Sequence, residues 1–227
     1  LRSCCAFAPS FLFGALYAAL AVAVWVPWYL GLIALPTEFP PIAWHAHELL
    51  FGYVPAIVAG FLLTAVPNWT GRLPVVGWPL AALFGIWLAG RVAVATSLWI
   101  GPAATSAVAL AFLVTLCAVI ARAILTGKNR RNLKVLVIVL ALLASQALFQ
   151  WEVFHQGYSD YGERLAIAVI ITLIMVIGGR VVPSFTGNWL RHRGSQKMPR
   201  PFSRYDVVAI VVSVAALAAW ALEPVLG

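Results

Sequence analysis

Residues 134–153, KVLVIVLALLASQALFQWEV, carry Lys134 at one end, Glu152 near the other and no charge between them. A bilayer hydrocarbon core about 30 Å thick calls for roughly 20 mostly apolar residues in α-helix, and this stretch meets that length. A run this continuous lacks the apolar–polar alternation of a barrel strand, and in lipid only a helix or a closed barrel satisfies its own backbone. Similar runs at about 10–35, 48–66, 78–99, 102–125, 163–183 and 205–224 bring the count to about seven. Composition agrees: 63% of the chain is hydrophobic and 10% charged, against about 25% charged in soluble domains, and the mean hydropathy is +0.96. The expected fold is all-α, a polytopic transmembrane helical bundle, with residues 1–227 as a single transmembrane domain in a lipid bilayer.

Basic residues set the expected orientation. GKNRRNLK at 127–134 and RHRGSQKMPRPFSR at 191–204 hold most of the Lys and Arg, and short loops rich in these stay cytoplasmic. Counting spans back places Arg2 and Arg72 inside with a cytoplasmic N-terminus, and the loops at 36–47, 100–101 and 154–162, which lack Lys and Arg, outside. Topology and anionic lipid then account for the net charge of +8. A nucleic-acid partner would need a soluble basic domain, which this pattern does not contain. Cys4 and Cys5 are adjacent and Cys117 lies within a span, so the cysteines read as packing residues or free thiols.

On this topology three of the four histidines share one leaflet. PIAWHAHELLFG, residues 41–52, places His45, His47 and Glu48 at the outer end of the second span, and QWEVFHQG places Glu152 and His155 at that of the fifth. Gln146 and Gln150 lie further into that fifth span. Neutral imidazole is a common ligand for haem iron, copper and zinc, and a nearby carboxylate holds the ring in the ligating tautomer. The candidate metal ligands are therefore His45, His47 and His155, with Glu48 and Glu152 supporting them. His45 and His47 stand about 200° apart on an ideal helix, so one of them is expected in the preceding loop, where Pro36, Pro40 and Pro41 disfavour helix. The alternative is that these histidines cap spans within an aromatic belt beside Trp44.

Arg91 lies about eight residues from the outer end of the third span, roughly 12 Å deep at 1.5 Å per residue. A charge at such depth costs about 2.5 to 3.5 kcal/mol on insertion scales, so it calls for an interior partner. Glu48, Glu152 or an anionic cofactor group would serve; the alternative is snorkelling to the interface. A fainter signal is an internal echo: AVPNWTG ends the second span and VVPSFTG the sixth, aligning Pro67 with Pro183 at an offset of 183 − 67 = 116. It suggests either a duplicated four-span unit or two similar interfacial turns.

WHAHELLFGY (44–53), AGFLLTAVPNWTGR (59–72) and VIGGRVVPSFTGNWL (176–190), in that order, resemble the NnrS family of bacterial inner-membrane proteins associated with the nitric oxide response. The resemblance covers nearly the whole chain. It implies a multi-pass inner-membrane protein that contains haem and copper, binds nitric oxide and limits nitrosative stress. Family members are longer, so it also implies an N-terminal part of such a protein. His45, His47, Glu48, Arg180, Pro183, Thr186 and Asn188 match the motifs; His155 and Arg91 enter as candidate cofactor contacts from topology and depth alone. Catalysis, sensing and sequestration all remain open, and the alternative to a haem or copper protein is a transporter with an Arg/Glu/His path.

Overall fold

The computed structural model describes residues 4–71, 73, 75–127, 132–195, 197–200 and 203–223. Arg2, Arg72 and the side chains of Cys4 and Cys5 lie outside the described residues. All regular structure among them is helical: α1 (Cys4–Tyr29), α2 (Pro41–His47), a π-helical turn (Glu48–Tyr53), α3 (Val54–Thr70), α4 (Trp78–Ala95), α5 (Ser97–Thr126), α6 (Leu133–Gln156), α7 (Tyr161–His192) and α8 (Arg204–Leu222). Seven helical segments are long and apolar enough to cross a membrane, among them Pro41–Pro67, which joins α2, the π turn and α3 into one span. The chain is a multi-pass membrane protein, as its composition indicates.

The chain forms two compact units, Leu1–Glu163 and Arg164–Gly227. In the first, α4 packs on α5, α1 on α3, and α5 on α6. Glycine permits the closest of these approaches, since a Cβ on Gly90 would lie 3.3 Å from the Ala109 Cα. The segment before α2 is pinned to the α4–α5 junction, where the Thr37 hydroxyl donates to the Val94 carbonyl at 2.7 Å and the Ser97 hydroxyl accepts from the Glu38 amide at 2.8 Å. In the second unit Arg164 donates to the carbonyls of Trp220 and Glu223 at 3.3 and 3.1 Å, and Ser203 with Asp206 forms a capping box at the start of α8.

Two local expectations change. His45 and His47 both belong to α2, which starts at Pro41 because a proline suits the first helical position, where no N–H is required. The echoed heptapeptides also differ in outcome. AVPNWTG does end α3, with Gly71 at φ 68°, and Pro74 comes three residues later in the sequence. VVPSFTG ends nothing: α7 continues through Gly187 to His192, and Gly194 at φ 69° lies just beyond it. Asn188, Trp189, Leu190 and Arg191 carry the helix onward, and Arg191 donates back to the Gly187 carbonyl at 3.2 Å.

Candidate functional site

The site grows from an irregularity in the helix. Pro55 lacks an N–H, so the Phe51 carbonyl has no α-helical donor four residues on. The preceding residues Glu48–Tyr53 take π-helical geometry, with the Val54 amide bonded to the Leu49 carbonyl. Such turns recur at functional sites. Here the Gly52 carbonyl accepts a hydrogen bond from Trp87 Nε1 on α4 at 2.9 Å. Glu48 and Gly52 are four residues apart on one face, and the absence of a side chain at Gly52 makes room for three others. A Cβ there would lie 2.8 Å from Arg91 Nη1, 2.9 Å from Glu48 Oε2 and 3.1 Å from Tyr17 Cε1.

Over that gap Arg91 Nη1 donates to both Glu48 oxygens, at 3.0 and 2.9 Å. The Tyr17 hydroxyl on α1 donates to Glu48 Oε2. His47 Nδ1 lies 2.9 Å from Glu48 Oε1, and Gln150 Nε2 on α6 lies 3.0 Å from His47 Nε2. Donor bookkeeping fixes the tautomer. A carboxylate accepts, so His47 Nδ1 carries the proton and Nε2 presents a lone pair, to which the Gln150 amide donates. Arg91 and Glu48 cancel in charge, which lets the cluster sit in the core with His47 and Glu48 0% exposed and Arg91 4%. Phe39, Phe51 and Phe149 pack around the imidazole at centroid distances of 5.3, 5.4 and 5.6 Å. Arg91 Nε, Gln150 Oε1, Gln146 Oε1 and Thr105 Oγ1 are buried polar atoms without a protein partner in the same unit.

The other candidates occupy different settings. His45 stacks on Trp25 at 4.0 Å, and its buried Nδ1 has no protein partner. His155 is exposed, with Nδ1 2.7 Å from the Trp151 carbonyl, so its Nε2 also presents a lone pair. Glu152 turns away from this role. It accepts from the Ser159 hydroxyl at 2.5 Å and from the amides of Tyr161 and Gly162 at 3.2 and 2.9 Å, capping the start of α7. In the second unit, Arg180, Pro183, Thr186 and Asn188 all lie on α7, where Asn188 Oδ1 accepts from Arg191 at 2.8 Å.

Of the buried cluster, the sequence pointed to His47, Glu48 and Arg91, noted Gln150 on the fifth span without assigning it a role, and missed Tyr17, Gly52 and Trp87. The one available signal was the four-residue spacing of Glu48 and Gly52; a phenol in an apolar span does not announce its partner.

The fit to haem and copper is at the level of single donors. His47 and His155 each hold Nδ1–H on an oxygen acceptor and keep Nε2 as the donor, which is how protein imidazoles meet metals. Among the described residues no three of His, Cys, Asp and Glu gather to hold one ion. No curated protein and no solved structure matches the chain. The family described as NnrS protein matches residues 3–227. Since that span takes in the His47–Glu48 motif, Arg91, Gln150 and the whole of α7, the chain belongs to the NnrS protein family.

Proposed function

We propose that this chain acts in the nitric oxide response from the bacterial inner membrane, with a cytoplasmic N-terminus, as a haem- and copper-containing protein that binds nitric oxide and limits nitrosative damage. The observation that carries the placement of the site is the charge-backed imidazole: Arg91 holds Glu48, Glu48 holds Nδ1 of His47, and Nε2 is left as a donor. Haem iron or copper, held through Nε2 of His47, would supply the nitric oxide binding chemistry. The residues of the chain do the rest. Glu48 holds the tautomer of the ring, and Arg91 balances the charge of that carboxylate in a dry setting. Tyr17 occupies a further lone pair of Glu48, which restrains its rotation. Phe39, Phe51 and Phe149 exclude water, yet an uncharged diatomic gas soluble in lipid passes such walls. Gln150 Nε2 is the group that yields when Nε2 of His47 is taken. His155 and His45 are the further imidazole donors in this reading.

The test is the haem and copper content per folded chain, with visible spectra before and after nitric oxide. The expected result is a Soret band that shifts with nitric oxide in the parent and is lost or strongly reduced in His47→Ala. Full occupancy in a variant lacking His45, His47 and His155 would place the site elsewhere. Orientation is tested separately: cysteines replacing Tyr158 and Gln196 should be labelled by an impermeant reagent from opposite sides.

A further inference from the structure

A second feature lies between α3, α4 and α5, at the end where α3 and α5 stop and α4 begins. The two stopping ends touch, since a Cβ on Gly127 would lie 2.8 Å from the Thr70 Cβ. Beside them is a cleft of about 770 Å³. Its walls include Leu62, Val66, Leu83, Ile86, Val119 and Ile120, while Leu73 at its edge is 91% exposed. The cleft is therefore deep and apolar inside and open at its rim.

The polar lining is sparse. Thr115 donates its hydroxyl to the Ala111 carbonyl at 2.7 Å, and Thr126 to the Arg122 carbonyl at 2.6 Å. Arg122, in the last turns of α5, supplies the charge, and no acid faces it among the described lining residues. An apolar interior with a cation at the end of a membrane-spanning helix matches an amphiphile with an anionic head. A porphyrin is a poorer occupant, because the described lining offers its iron no imidazole, thiolate, thioether or phenolate.

We propose that this cleft binds an anionic phospholipid, with an acyl chain against Leu62, Val66 and Ile120 and the phosphate on the Arg122 guanidinium. Arginine suits that contact because its planar fork matches phosphate oxygens. The proposal is independent of the His47 cluster, so either can fail alone.

The experiment is native mass spectrometry of the full chain in detergent containing equimolar phosphatidylglycerol and phosphatidylcholine with identical tails. The parent should retain the anionic lipid in preference. Arg122→Gln should lower that preference about fivefold, the contribution of one basic side chain at an anionic surface. Arg122→Lys should keep most of it, and Lys197→Gln, outside the cleft, should keep all of it. Ala82→Phe, which fills the cleft, should reduce retention of both lipids, while inorganic phosphate at the same concentration should displace neither. Equal retention of the two lipids by the parent, an unchanged preference in Arg122→Gln, or displacement of the bound lipid by added haemin would overturn the proposal.

Discussion

Glu48 and Glu152 are both buried carboxylates, 0% and 3% exposed, yet they are held in opposite ways. Glu152 takes its donors from within ten residues, a hydroxyl and two backbone amides at the turn into α7. Glu48 takes them from Arg91 and Tyr17, 43 and 31 residues away, and in turn orients the neighbouring imidazole. A carboxylate satisfied by local backbone stabilises a helix start. One satisfied by distant charged and phenolic side chains ties three helices together beside a buried imidazole. Burial alone does not distinguish the two roles; the provenance of the donors does.

The largest expected effect is at Arg91. Arg91→Ala leaves the Glu48 charge buried and unpaired, which commonly costs about 3 to 5 kcal/mol. Folded yield and thermal unfolding in detergent measure it. Replacing Arg91 and Glu48 together by Met should recover only part of that loss, because two apolar groups need no mutual compensation while the Tyr17 hydroxyl and His47 Nδ1–H lose their acceptor; a double variant as unstable as the single would break the comparison.

Next is Gly52→Ala, whose added methyl enters the gap shared by Arg91, Glu48 and Tyr17. Overpacking there should cost about 1 to 3 kcal/mol. Bound metal should fall with it, read from metal content per folded chain. Glu152→Ala should cost a similar or smaller amount, about 1 to 3 kcal/mol for buried donors left unsatisfied. It should leave metal content unchanged, and loss of metal in that variant would erase the distinction between the two glutamates.

Glu48→Gln sharpens the same contrast in affinity: metal titration should show binding weakened about 10 to 100-fold, the usual consequence of altering the group behind a ligating histidine. The smallest stability effect is at His155, whose exposed side chain has its hydrogen bond and ring contact with Trp151 in its own turn. His155→Ala should stay within about 0.5 kcal/mol of the parent while lowering bound metal, so a fall in occupancy there reports ligation rather than unfolding.

Depth in an apolar run made Arg91 call for an interior anion, because a lone charge in a bilayer is expensive. The choice of Glu48 over Glu152 was not legible, since helical periodicity states which face a residue occupies and not which helix it meets. His45 and His47 show the same gap from the other side. Their spacing, about 200° on a helix, pointed to one of them in the preceding loop, whereas both lie on α2 and packing sends one ring to Trp25 and the other to Gln150 and three phenylalanines. Gly52 is the clearest omission, because a residue defined by the neighbours that fill its empty space has no signature of its own.

The sequence alone yields the seven apolar helices, because membrane solubility is a sum over about 20 consecutive residues and needs no long-range information. It also marked the end of α3, where Gly71 acts on its own backbone; the prolines before His45 read as loop, whereas Pro41 starts α2. The two related heptapeptides mark the edge of that reach: similar residues end α3 at Gly71 and run on through Gly187 in α7, because the residues after them differ. Only packing across helices brings Tyr17 and Arg91 to Glu48 and Gln150 to the neighbouring His47. Those bonds depend on distance and orientation across helices, and a buried charge is stable only when every partner arrives together.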